Sequence, residues 1–531
     1  MNPPNSARSL APYFLWPTLA ALMFFPASGL RFGFKALIVA LLAAWTWRNL
    51  NRPGKLLPGN GRALPFALSI LTLSFFTAMG ILAYANYSNY DQGDISCYIS
   101  VFRNSTGWLP GANVTSGRPL LAMHSEFYCI PVGWIFRLAP SALILQLIQA
   151  AAAFTAWGLF RSWISGKCEN QATAEWLAWG FALMPCLTAP LLKGFHGVTL
   201  ATPVLVLTAT AFYDRKWRRF VIALIFLLLA KEVFTLTAIS FGALALMQRR
   251  QGKWILVPAL LGLAYGLFLR GWFFPMMLKD SGYFYDAYFA GWKHSLHGLF
   301  SQSTFSYFIV LLLWAGSLTA FSNMYWLMAL PPAGLYCFLG GGYSIPSNHY
   351  ILEPSFWLYF SSVVAFLEYL ETQEIRERSN AIFEKRLYAF LACLFLMNIT
   401  LAQNLPFYLH HKLERSYQEA LVRIPAEATV ALGVGLDDRL YYVRRIYWTV
   451  YGGKHPDRTC TWREAFSLKG VPGEFALVHR GIGSPNFPAE DQENLRRCWG
   501  DLAKDPEYRT VWEDSVLILV QKAKEMLSDR N

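Results

Sequence analysis

A few ionisable residues stand among apolar ones in this sequence, and their types and spacing suggest chemistry. Asn89-Tyr90-Asp91-Gln92-Gly93-Asp94 follows a long apolar run and sets two carboxylates close together. Such a pair lines one turn or one helical face, where it can take a proton from a hydroxyl or hold a divalent cation such as Mg²⁺ or Mn²⁺. An ordinary polar loop cap would read the same way. Arg118 and then Met123-His124-Ser125-Glu126 introduce FYCIPVGWIFRLAP, an apolar run with polar punctuation that suits a helix lying along a membrane interface. Lys231-Glu232 sits between VIALIFLLLA and VFTLTAISFGALAL. It reads either as a structural ion pair or as a cation for an anionic group, oriented by the carboxylate. Lys193 and His196 fall in the turn KGFHG, and His349-Tyr350 opens an apolar run after a Gly/Pro/Ser-rich turn. No spacing resembles a zinc cluster.

The elements that must position these residues are membrane helices. The chain has 531 residues, 55% hydrophobic and 15% charged, where a soluble chain carries about 25% charged residues. Continuous apolar stretches of spanning length recur, and lipid offers no partner to a free backbone group, so they must be helices. The first is read as a retained helix, since no small-residue cleavage site follows it cleanly. The spans predicted are 10–29, 33–49, 63–85, 140–162, 173–191, 197–213, 219–230, 233–248, 254–274, 305–322, 325–343, 350–371 and 387–405. Two of them, 219–230 and 233–248, are too short to cross alone at ~1.5 Å per residue. They read as a hairpin with Lys231 and Glu232 at an apex inside the membrane.

The net charge of +13 is a matter of topology: basic residues gather in the connections 48–62, 161–167, 214–219, 249–253 and 376–386. With all five inside, the path makes about thirteen crossings. No nucleic-acid-binding module accompanies the charge, so no nucleic-acid partner is expected. The same path puts a first outer loop (86–139), the turns at 193–197 and 344–350, and everything after about 406 outside. Asp91, Asp94, His124, Lys193, His196, Lys231, Glu232 and His349 then share one side. The expected fold is an all-α polytopic domain over 1–405 and a small soluble α/β domain over 406–531. In the latter, strand-like runs occur at 429–435, 440–443, 475–479 and 511–521, with helices at 413–424 and 490–501. Cys97 with Cys129, and Cys460 with Cys498, fall in the outer segments, where disulfides are permitted. Cys168, Cys186, Cys337 and Cys393 read as packing residues.

The ordered set of motifs resembles the DUF 2079 family of predicted membrane proteins, within the glycosyltransferase C (GT-C) superfamily. Tyr90-Asp91 with Asp94, His124-Ser125, Phe195-His196, Arg215-Lys216-Trp217 leading to Lys231-Glu232, His349-Tyr350 and Ile424-Pro425-Ala426 carry the resemblance, over about 64–480. Gly197 departs from it, where the family usually has proline. The resemblance implies a GT-C-like fold and transfer of a sugar from a polyprenyl-phosphate donor on the extracytoplasmic face of the inner membrane. The acceptor, whether glycan, lipid or protein, is left open. Asp91 would serve as base or metal ligand, with Glu232 the second catalytic group. Lys231, with Lys193 or Arg118, would hold the phosphate. Asp94, His124, Glu126, His196, His349 and Tyr350 would shape the substrate site. Two other readings fit the same residues: a lipid or anion transporter gated by Lys231-Glu232, and a scaffold acting through the segment after 406.

Overall fold

The computed structural model describes residues 63–86, 93–103, 105, 109–111, 119–169, 171–192, 194–278, 304–305, 307–308, 311, 322–339, 349–371, 416, 419–420, 422–425, 428–432, 445–448, 475–479, 508–514 and 517–522. The expected spans 10–29, 33–49 and 387–405, most of 305–322, and the expected helix at 490–501 lie outside these residues.

The described chain is mostly helical. The helices are α1 (Ala63–Asn86), α2 (Gly93–Arg103), α3 (Leu120–Met123), α4 (Cys129–Leu138), α5 (Ala142–Ser165), α6 (Gln171–Ala182), α7 (Pro185–Leu192), α8 (Thr202–Tyr213), α9 (Trp217–Leu228), α10 (Phe234–Met247), α11 (Gly252–Phe268), α12 (Phe274–Leu278), α13 (Leu330–Leu339) and α14 (Leu352–Glu371). Among the described residues, two helical stretches are long and apolar enough to cross a membrane, Ala142–Ser165 and Gly252–Leu278. Shorter apolar helices include Gly197–Tyr213, Phe234–Met247 and Met324–Leu339.

The span expected over 173–191 is two helices, α6 and α7, parted at Leu183-Met184. The cause is Pro185: its ring disfavours a helical conformation in the residue before it and suits the first position of a new helix. The run expected over 254–274 carries a π-helical turn at Leu269–Phe273 and continues to Leu278.

The chain divides into two compact units. One comprises Met1–Gly80, His124–Tyr128 and Leu147–Leu405; the other comprises Ile81–Met123, Cys129–Gln146 and Pro406–Asn531. The first holds an aromatic core in which Trp157, Phe160, Phe181, Phe212, Phe220, Trp357 and Tyr359 are almost wholly buried. Phe160 stacks closely on Phe181, with ring centroids 4.5 Å apart, and the Tyr359 hydroxyl donates to the Leu177 carbonyl at 2.5 Å. Helices α10 and α11 pack through glycines. A Cβ on Gly242 would lie 2.6 Å from the Ile255 carbonyl oxygen, and one on Gly262 would lie 2.8 Å from that of Thr235. Small residues permit this backbone approach, as is common between membrane helices.

In the second unit, Phe102 of α2 packs on Phe136 of α4, with centroids 5.7 Å apart. A five-stranded sheet has the order β2-β1-β3-β5-β4. Its strands are β1 (Thr429–Leu432), β2 (Arg445–Trp448), β3 (Phe475–His479), β4 (Tyr508–Glu513) and β5 (Leu517–Lys522). β1 pairs in parallel with β2 and β3, while β5 runs antiparallel to β3 and β4. β1 and β3 fall within the strand-like runs expected at 429–435 and 475–479. The single strand expected over 511–521 is instead β4 and β5. Asp514 makes the turn between them: its amide donates to the Leu517 carbonyl, and its side chain accepts the Leu517 N–H at 2.7 Å. The expected strand at 440–443 lies outside the described residues, and β2 lies just beyond it.

Candidate functional site

Within the first unit, the segment His124–Tyr128 lies along the connector between α9 and α10. The two run in opposite directions and are bonded step by step. The Tyr128 hydroxyl donates to the Phe226 carbonyl at 2.8 Å, and the Phe127 amide to the Leu229 carbonyl at 3.1 Å. Glu126 Oε1 lies 2.9 Å from Lys231 Nζ, and His124 Nδ1 lies 2.7 Å from Glu232 Oε1. Ser125 completes the seam, its amide donating to Glu232 Oε2 at 3.0 Å and its hydroxyl at 3.4 Å. Phe127 also packs on Phe273 of the π-helical turn, with centroids 5.4 Å apart.

The expectation of an ion pair between the chain neighbours Lys231 and Glu232 is therefore refined. Each takes its close partner from 124–126, and the two pairs are formed across more than a hundred residues of sequence. Burial is deep: the Lys231 and Glu126 side chains are 9% and 0% exposed, and His124 and Glu232 are 18% exposed each. Desolvated charges persist only when paired and hydrogen-bonded.

The connector is reached by short helices. α9 has 12 residues and α10 has 14, so each rises only ~18–21 Å against a hydrocarbon core of ~30 Å. At the opposite ends of these helices are the basic turns. Asp214 pairs with Lys167 at 2.7 Å and Lys216 at 3.0 Å, and Arg250 lies 3.8 Å over the Phe212 ring while donating to the Phe212 carbonyl. Burial would raise the Asp214 carboxyl, but hydrogen bonds from Lys167, Lys216 and Trp163 outweigh it and hold the group below the usual carboxylate range.

Behind the apex lies a second polar layer, in which sequence reasoning marked Tyr350 and His196 and missed Glu353, Tyr265 and Gln149. Glu353 of α14 is buried and accepts a hydrogen bond from the Thr237 hydroxyl of α10. Tyr350 packs on Tyr336, with centroids 5.1 Å apart, and both lie within electrostatic reach of Lys231. The Tyr265 hydroxyl of α11 lies near Ser125 and Glu232. Gln149 of α5 pins the KGFHG turn: its amide nitrogen donates to the Pro190 and Gly194 carbonyls, and its oxygen accepts from the His196 amide at 2.8 Å and the Thr199 hydroxyl at 2.7 Å. Gly194, at φ 108°, occupies the left-handed region that favours glycine. No neighbour of Glu353 or Gln149 in the sequence hints at these partners, which lie more than 40 residues away along the chain.

Of the residues singled out from sequence, the structure brings together His124, Glu126, Lys231, Glu232 and Tyr350. His196 is buried at its own turn, held by Gln149. Asp91, Arg118 and Lys193 lie outside the described residues, as do Cys393, Cys460 and Cys498 and the side chains of Asp94, Cys97, Cys186 and His349. Cys168 and Cys337 are buried thiols in the core.

The fold is similar to that of apo ArnT from Cupriavidus metallidurans, with TM-score 0.53 and 12% identity, covering 88% of this chain and 99% of ArnT. ArnT from the same organism bound to undecaprenyl phosphate aligns with TM-score 0.45 and 12% identity, over 84% and 97% of the two chains. The chain belongs to the family of predicted membrane proteins DUF2079, which matches residues 84–433. No curated protein matches the sequence.

Proposed function

We propose that this membrane protein is a glycosyltransferase. In this reading it moves a sugar from a polyprenyl-phosphate-linked donor to an acceptor on the extracytoplasmic face of the inner membrane, with the segment after 406 on that same face. The observation that carries the reading is the buried seam of His124, Glu126, Lys231 and Glu232 at the apex of two short helices. Ionisable groups at membrane depth are costly and mark function. A lipid-linked phosphate is the substrate whose charge lies at that depth and whose tail needs the bilayer.

Glu126 holds the Lys231 ammonium charged and oriented. In the proposed reaction Lys231, with Lys193 or Arg118, stabilises the negative charge that grows on the departing phosphate. Asp91 takes the proton of the acceptor hydroxyl. Asp91 and Asp94 would be the residues to hold a divalent cation, which would add charge stabilisation at the phosphate. Among the described residues, no three His, Cys, Asp or Glu side chains are grouped to hold a metal.

The reading is tested by substitution in membranes. Asp91→Asn and Lys231→Ala should each lower transfer of labelled sugar by about 10²-fold or more. Unchanged glycan products in both variants would overturn it.

A further inference from the structure

The seam of paired side chains bears on how the leaving phosphate is handled. We propose that His124 is a catalytic residue that gives its Nε2 proton to the departing phosphate oxygen, and that Glu232 is the positioning residue that holds it. The proposal rests on the transferase reading above.

The geometry fixes the tautomer. His124 Nδ1 lies 2.7 Å from Glu232 Oε1, while Oε2 accepts from the Ser125 amide at 3.0 Å. A carboxylate so engaged is an acceptor, so Nδ1 carries the hydrogen and Nε2 is the nitrogen that gains and loses a proton. The ring keeps 18% exposure, so a bound substrate can reach it.

The charges around it give this proton a purpose. Glu232 and Lys231 face the ring's surroundings from the α9–α10 connector, and Glu126 from its own segment. Tyr265 of α11 stands near Ser125 and Glu232, and Tyr350 near Lys231. Among these described residues, a neutral imidazole leaves one ammonium to two carboxylates. The imidazolium balances the second carboxylate, and its proton can pass to the phosphate oxygen as that oxygen gains charge.

The step balances as follows. The bond between the anomeric carbon and the phosphate oxygen breaks, and its electron pair leaves with that oxygen, which takes the Nε2 proton. The acceptor oxygen bonds to the anomeric carbon and loses its proton to a base. Solvent later returns a proton to His124 and takes up the one released by the acceptor. The leaving group is a phosphomonoester whose second ionisation lies near about 6, close to the range in which an imidazole works.

The test uses the full chain in lipid nanodiscs with a polyprenyl-phosphate sugar that the wild type turns over. The wild-type kcat should fall as pH rises and the imidazolium is lost. His124→Gln should lower kcat about 10²–10⁴-fold, remove that basic limb and change KM little. Glu232→Gln should shift the limb to lower pH, because the imidazolium loses its counter-charge. Histidine ¹⁵N spectra of the wild type give a readout without turnover: Nδ1 should stay protonated while Nε2 titrates. A basic limb that persists in His124→Gln, or titration at Nδ1, would overturn the proposal while leaving the transferase reading intact. A wild type that transfers no sugar from any donor would overturn both.

Discussion

The two ends of the α9–α10 hairpin both carry ion pairs, yet they are built differently. At the basic end, Asp214 meets Lys167 and Lys216, whose side chains are 35% and 56% exposed. At the apex, Lys231 and Glu126 are almost sealed. Water shares the charge at the first end and is excluded at the second. Charges that set topology need only stay in water, whereas charges kept out of it demand a partner of their own. The contrast separates a pair that solvent helps to hold from one that the fold itself must complete.

The largest effect should come from opening the apex. Glu126→Ala leaves the Lys231 ammonium buried and unpaired, and should cost about 3–5 kcal/mol. Glu126→Gln combined with Lys231→Met should recover most of that stability without recovering activity. Unfolding in detergent, followed alongside transfer, reads both. A fully stable Glu126→Ala would mean that the apex is as wet as the basic end.

Next is the glycine seam that holds α10 against α11. Gly262→Val places a side chain where a Cβ already meets the Thr235 oxygen at 2.8 Å. It should destabilise by about 1–3 kcal/mol, as overpacking does, and displace Thr235 beside Glu232. A thermal melt unchanged from the wild type would show that the helices can part freely.

At the basic end the effects should be smaller and should depend on pH. The Asp214 carboxyl is held low, so its contribution is present above the ordinary carboxylate range and is lost as pH falls through the folded value. The melting temperature of Asp214→Asn should lie below wild type at neutral pH, with the gap closing in acid. A gap that widens in acid would reverse the assignment. Smallest of all, Lys216→Ala at a half-exposed pair should change stability by about 0–1 kcal/mol.

Much of this was legible in the sequence because it is local. The short hairpin and its Lys231-Glu232 apex follow from where the apolar runs stop, and β3 from its short strand-like run. The pairing was not legible. Nothing near Glu232 in the chain names His124 as its partner, and nothing near Gln149 names the loop at 190–199 that it holds. Such contacts arise from tertiary packing, which periodicity does not encode. The break at Leu183-Met184 could have been read from Pro185, but the surrounding hydrophobicity masked it. The turn at Asp514 was hidden in the same way, by β-forming residues on both sides.

The central claim is tested most directly by presenting the purified chain, in lipid, with a panel of radiolabelled polyprenyl-phosphate sugars and following release of the free polyprenyl phosphate. The account predicts release from at least one donor, dependent on an acceptor and lost in Lys231→Ala. Intact donors throughout, with folded protein and labelled lipid moving between leaflets instead, would contradict it and identify a transporter.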